Sequence, residues 1–139
     1  MTNKVVYIQG AWDLLHIGHF NILYRASKIA SRLIVGVDSD ESIEKNKGHS
    51  PILSLSDRIK TLASCNFVDE IIKSESMVID VDLLIKHWVD ILALDSDKIC
   101  LELPGRKEAQ EAGIEVIYFP YTQSISSTMI RNILQRDKQ

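Results

Sequence analysis

The sequence predicts an α/β protein, an open, doubly wound sheet of five parallel strands in a single domain. Three observations lead there. Five short runs rich in Val and Ile are nearly continuous rather than alternating, as strands buried on both faces are. Helical patterns separate these runs in strict β-α order. The 139 residues suffice for one buried core and not for two.

The predicted strands are residues 5–8, 33–37, 69–73, 91–94 and 115–119. After the first, Ile22, Leu23, Ala26, Ile29 and Ala30 form one apolar stripe at helical spacing. "EKNKGHSP", after the second strand, reads as a solvated loop, poorly ordered until a ligand closes it over a site. "SLSDRIKTLASC" opens with a capping box, Ser54 with Asp57, and continues as a helix. "VDLLIKHWVD" and "GRKEAQEAG" read as two more helices. The last, "SSTMIRNILQRD", sets Met129, Ile130, Ile133 and Leu134 on one face. In such a sheet, ligands bind at the carboxyl ends of the strands, where the topology switches.

Composition narrows the classes of partner. A hydrophobic fraction of 45% and a charged fraction of 25% are ordinary for a globular protein. A net charge of −3 gives no electrostatic footprint for nucleic acid or an anionic membrane. Cys65 and Cys100 are far apart in no metal-type spacing, and read as free thiols in a reducing cytosol. No apolar run approaches the roughly 20 residues that span a bilayer. The start "MTNKVVYIQG" lacks the apolar region of a signal peptide, so the expected location is cytoplasmic.

The chemistry concentrates at two strand-to-helix turns. "GAWDLLHIGHF", residues 10–20, follows the first strand. Gly10 lets the backbone turn and approach a ligand closely. His16 and His19, three apart, lie on one side of the opening helix. The helix N-terminus adds partial positive charge and free N–H groups. Together these make an anion site that suits a triphosphate. The competing readings are core histidines, or half of a metal site, although no third soft ligand lies nearby. Neither G-x-G-x-x-G nor a P-loop is present. The second turn, "PYTQSISSTMIR", puts Ser126, Ser127 and Thr128 at the start of the last helix, with Arg131 one turn on. One hydroxyl serves as an N-cap. Three in a row with an arginine are suited to phosphate oxygens.

These two motifs, G-A-W-D-L-L-H-I-G-H and P-Y-T-Q-S-I-S-S-T, resemble the cytidylyltransferase family of the H-x-G-H nucleotidyltransferases. The chain is most similar to the glycerol-3-phosphate cytidylyltransferase type. "VGVDSDE", the Lys47-Gly48 pair, the helix with Arg58 and "FVDEII" extend the resemblance over nearly the whole chain. It implies a Rossmann-like fold of nucleotidyltransferase type. It implies transfer of CMP from CTP to a small alcohol phosphate, first of all glycerol 3-phosphate, with release of pyrophosphate. His16, His19 and Lys47 take the catalytic positions. Gly10, Ala11, Trp12 and Asp13, with both histidines, form the first nucleotide-binding segment, and Asp13 orients the loop. Ser126, Ser127, Thr128 and Arg131 form the second. Lys47 and Arg58 match cations that meet the acceptor. Mg²⁺ arrives with the nucleotide, no residue of the chain is assigned as its ligand, and a homodimer is expected.

The sequence departs from the family in two places. Tyr121 stands where an arginine is common, and Ser124 where a glycine is. The segment "LDSDKICLELPGR" replaces a Gly-Asp-Asp-Trp-like stretch, with Asp95 or Asp97 left to keep the acidic role. Phosphoethanolamine and sugar or polyol phosphates therefore stay open as acceptors. Choline is disfavoured, since an aromatic cage needs clustered aromatics and only 6% of the chain is aromatic. An adenylyltransferase of the same superfamily and a nucleotide-binding relative without activity are the other readings.

Overall fold

A computed structural model of the chain describes residues 3–120 and 126–136. Its strands are β1 (Val5–Gly10), β2 (Arg32–Asp38), β3 (Glu70–Ser74), β4 (Ile91–Asp95) and β5 (Glu115–Phe119). They form one all-parallel sheet in the order β3-β2-β1-β4-β5. The helices are α1 (Ile17–Ile29), α2 (Asp40–Lys47), α3 (Leu55–Ala63), α4 (Val81–Lys86), α5 (Arg106–Glu111) and α6 (Ser127–Arg136). None of the described helices is long and apolar enough to cross a membrane.

The near-continuous apolar strands are explained by two cores, one on each face of the sheet. Val6, Ile8, Leu33, Val35, Val37, Ile91 and Ala93 point to one face and pack against Leu23 and Ala26 of α1 and Leu62 of α3. The alternate residues Tyr7, Ile34 and Leu92 point to the other and pack with Leu84 of α4 and Ala109 of α5. Strand residues alternate faces, so a strand covered on both sides must be apolar at nearly every position. Where Gly36 lies beside β1, a Cβ would come within 2.0 Å of the Tyr7 hydroxyl. The bare glycine is what lets that ring lie flat against β2.

One expectation is corrected. The first half of the segment expected as a mobile loop, residues 44–47, is the end of α2. Ser39 caps that helix by accepting from the Ser42 N–H, Asp40 and Glu41 occupy its first turn, and Gly48 at φ 76° ends it. Charges thus complement the helix dipole at both ends, and glycine supplies the left-handed terminus. The apolar face of α6 is left open by the described residues: Met129, Ile133 and Leu134 are each close to half exposed.

Candidate active site

The carboxyl ends of β1, β2 and β4 open onto one cleft of about 440 Å³, which both motif turns line. Topology sets its place. β1 lies between β2 and β4, so the chain winds away from it in both directions, and the crevice forms at that switch.

The first wall is the turn after β1. A Cβ on Gly10 would meet the Trp12 ring at 3.3 Å. Trp12 folds back into the core, and its indole N–H donates to the Gly36 carbonyl at 2.9 Å. Trp12 and Leu14 take φ values of 56° and 53°. That left-handed backbone costs a side-chain-bearing residue roughly 1–2 kcal/mol. Asp13, between them, holds the turn in place. Its Oδ2 accepts from the Ile52 N–H at 2.7 Å, and its Oδ1 from the Leu53 N–H at 2.9 Å. Arg131 Nη2 also donates to Oδ2, at 3.1 Å, and the Ser127 hydroxyl donates to the Asp13 carbonyl. Asp13 thus ties the first motif to the segment before α3 and to α6. With both oxygens engaged, it positions the loop.

The turn delivers the two histidines. His16 caps α1, its Nδ1 accepting from the Gly18 N–H at 3.0 Å. The Nδ1 of His19 accepts from the His16 N–H at 3.2 Å. A neutral imidazole that accepts at Nδ1 carries its proton on Nε2. The rings lie 4.0 Å apart between centroids, and both line the cleft. The site therefore offers two Nε2–H donors with fixed tautomers. Burial lowers the pKa of both. His19 falls to about 4, through burial first and His16 second, against an opposing pull from Asp13.

That shift has a stability consequence. The unfolded histidine takes up a proton near 6.5, whereas folded His19 resists until about 4. Between these values the unfolded state binds more protons, so stability rises with pH across that window and falls as pH drops through it. The unfolding midpoint is expected to climb more steeply from pH 4 to 6.5 in the native protein than in His19→Asn. Identical slopes in the two proteins would contradict the buried, neutral imidazole.

The opposite wall is the start of α6. Ser126 Oγ accepts from the Met129 N–H at 3.1 Å and is the N-cap. Ser127 is engaged with Asp13. Thr128 lines the cleft, and its hydroxyl bonds to no other described residue. Arg131 bridges Asp13, His49 and the Ser50 carbonyl at the cleft wall. Tyr121 and Ser124 lie outside the described residues. Lys47, the last residue of α2, lines the cleft and is exposed.

Arg58 is not brought to the cleft. Its side chain is fully buried. Nη1 donates to the carbonyls of Ala11 at 2.7 Å and Asp38 at 2.8 Å, Nε to that of Leu53 at 3.1 Å, and Nη2 to the Asp40 carboxylate. The guanidinium clamps three backbone segments that frame the site, and has no reach left for an acceptor. This corrects its expected acceptor-binding role.

Of the two acidic residues left open after β4, Asp95, the last residue of that strand, lines the cleft, and its carboxyl is pushed up by burial and then by Asp97. Other cleft residues were not anticipated, Lys98 among them. On the β2 side, the Tyr7 hydroxyl donates to Gln9 Oε1 at 2.6 Å. Gln9 Nε2 donates to Asp38 Oδ1 at 2.9 Å and to the Ser76 carbonyl at 2.8 Å. The available signal was a polar residue closing each of two apolar strands at its carboxyl end.

Comparison with known proteins shows the family. A family model described as cytidylyltransferase-like matches residues 7–133. The chain is similar to the FAD synthase of Pyrococcus abyssi, 32% identical over 133 residues, which span 94% of this chain and 90% of that one. It is also similar to the ethanolamine-phosphate cytidylyltransferase of Dictyostelium discoideum, 28% identical over 133 residues, 93% of this chain and 37% of that one. Among solved structures, a lipopolysaccharide core biosynthesis protein from Thermoplasma volcanium aligns with a TM-score of 0.69. It is 25% identical, over 88% of this chain and 98% of its own.

Proposed function

The chain belongs to the cytidylyltransferase-like family of nucleotidyltransferases, and from that premise we propose that it transfers CMP from CTP to a small alcohol phosphate, glycerol 3-phosphate first, with release of pyrophosphate. The observation that carries this reading is the pair of Nε2–H donors fixed by His16 and His19 on one cleft with Thr128, Arg131 and Lys47.

An acceptor phosphate oxygen attacks the α-phosphorus, and the bond from that phosphorus to the oxygen shared with the β-phosphate breaks. The acceptor is already ionised near neutral pH, since the second ionisation of a phosphate monoester lies near pH 6. It therefore needs no general base. The histidines suit the remaining task. With Nδ1 engaged by backbone N–H groups they are poor proton acceptors but well-placed donors to charge that builds on the α-phosphate and the leaving pyrophosphate. Lys47 offsets the repulsion between two anions brought together. A Mg²⁺ arriving with the nucleotide would supply charge neutralisation on the triphosphate.

In this reading, Lys47→Ala raises the acceptor KM more than the nucleotide KM. Steady-state kinetics with each substrate varied in turn check this. Unchanged Michaelis constants would return Lys47 to the solvated surface.

Adenylyl transfer from ATP is the second reading. It is favoured by the similarity to FAD synthases, which spans nine-tenths of the Pyrococcus abyssi protein. A pyrophosphate-release assay tests both, with CTP or ATP against glycerol 3-phosphate, phosphoethanolamine, sugar phosphates and FMN. The proposal expects acceptor-dependent release with CTP. Release with ATP alone would establish the second reading. No release with any pairing would leave a nucleotide-binding relative without activity.

A further inference from the structure

The cleft has a second polar end that the two motifs do not account for. Asp38 closes β2, is 2% exposed, and lines the cleft wall. Its carboxylate has one hydrogen-bond partner among the described residues, Gln9, which engages only Oδ1. The neighbouring groups have fixed hydrogen-bond polarity. Gln9 Nε2 has spent both hydrogens, one on Asp38 and one on the Ser76 carbonyl. Tyr7 has spent its hydroxyl hydrogen on Gln9 Oε1. What this end still offers a ligand is the carboxylate Oδ2 and the lone pairs of the phenol oxygen, all acceptors. Whatever binds here must donate.

Placement and charge select the ligand. Asp38 ends β2 and Lys47 ends α2, the helix that follows it, and both line the cleft. A buried carboxylate is a poor neighbour for a triphosphate, and Lys47 is a good one for a phosphate monoester. Burial pushes the Asp38 carboxyl up, opposed by the hydrogen bond from Gln9 and by Lys47 and Arg58, and Arg58 is itself paired with Asp40. A hydroxyl on the acceptor is a neutral donor that suits this end without adding charge. Oδ2 is open to the cleft, where a ligand donor can take the place of water.

We propose that Asp38 is a specificity-determining residue of the cleft: its carboxylate accepts a hydrogen bond from a hydroxyl on the carbon skeleton of the acceptor, selecting a phosphorylated polyol or sugar. This rests on the transfer reading above and names its substrate class. Tyr7 and Gln9 are positioning residues that hold the carboxylate.

The test compares glycerol 3-phosphate with propyl phosphate, which lacks its hydroxyls, and with phosphoethanolamine, in the native protein, Asp38→Asn and Asp38→Ser. The native protein is expected to favour glycerol 3-phosphate over propyl phosphate by about tenfold or more in kcat/KM, as suits a hydrogen bond to a charged group. In Asp38→Asn that preference collapses toward one, with the nucleotide KM unchanged. Asp38→Ser gives the same readout should the asparagine variant fail to fold. A preference that survives both substitutions overturns the proposal, as does a native protein that favours propyl phosphate or phosphoethanolamine. A rise confined to the nucleotide KM overturns it too, by assigning Asp38 to the base. In all these cases native turnover continues and the transfer reading stands. A native protein that releases no pyrophosphate with any acceptor overturns both.

Discussion

His19→Ala is expected to cut turnover by about 10²–10³ while the protein stays folded. The magnitude is that of removing one fixed donor to charge that develops in the transition state. The fold survives because the side chain lies at the cleft and its structural contribution is a single bond, accepted from the His16 N–H at 3.2 Å. Losing that cap costs about 1 kcal/mol. His16→Ala should behave similarly, with a somewhat larger loss of stability, since His16 is the N-cap itself. The measurement is kcat beside the thermal unfolding midpoint. Near-native turnover in either variant would remove that histidine from the chemistry. Unfolding of both would make them core residues.

Arg58→Ala is expected to fail in the opposite way, by losing the fold. The substitution strips a partner from the buried Asp38 carbonyl and from the half-buried carbonyls of Ala11 and Leu53, and leaves a void where a large side chain was packed. Each buried carbonyl left without a partner costs about 1–3 kcal/mol. A total of at least ~3 kcal/mol is a large part of a typical stability of about 5–15 kcal/mol. The unfolding midpoint should fall by on the order of 10 °C or more. Arg58→Lys should recover little, because one ammonium cannot span the positions a planar guanidinium reaches. A stably folded Arg58→Ala protein with only a raised acceptor KM would restore the acceptor-binding role that the structure removes.

Arg58 also shows how far sequence reading reaches. The resemblance assigns this arginine to the acceptor by matching a basic position of the family. Yet Leu55, Arg58 and Leu62 fall at i, i+3 and i+7, so Arg58 sits on the apolar stripe of α3, and that stripe is what buries it. The five strands were legible because burial on both faces writes a continuous apolar run. Their ends were less so: β1 continues through Gln9 and Gly10, which pair with Gly36 and Val37 although neither looks like a strand residue. α2 was missed for a related reason. Only Ser42 and Ile43 are buried in it, so periodicity was silent, and the signal lay in its caps.

The site divides in the same way. The histidine pair was legible because helical spacing alone puts residues three apart side by side. Asp13 was legible as an orienting residue, though only the fold supplies its partners, Ile52, Leu53 and Arg131, which are distant in sequence. Of the three hydroxyls at α6, Ser126 is the N-cap the sequence expected, while the bond of Ser127 to Asp13 is tertiary and no local pattern encodes it. Gln9 and Asp38 could have been noticed as polar ends of apolar strands. Their coupling across β1 and β2 needed the register.

The central claim is that the cleft joins an acceptor phosphate to the α-phosphorus of a nucleoside triphosphate. Labelling the three terminal oxygens of the acceptor phosphate with ¹⁸O and following the products by ³¹P NMR and mass spectrometry tests it most directly. The account predicts unlabelled pyrophosphate together with a diphosphate-linked product that retains all of the label. Nucleoside mono- or diphosphate as the leaving group, or pyrophosphate release that leaves the labelled acceptor unreacted, would contradict it.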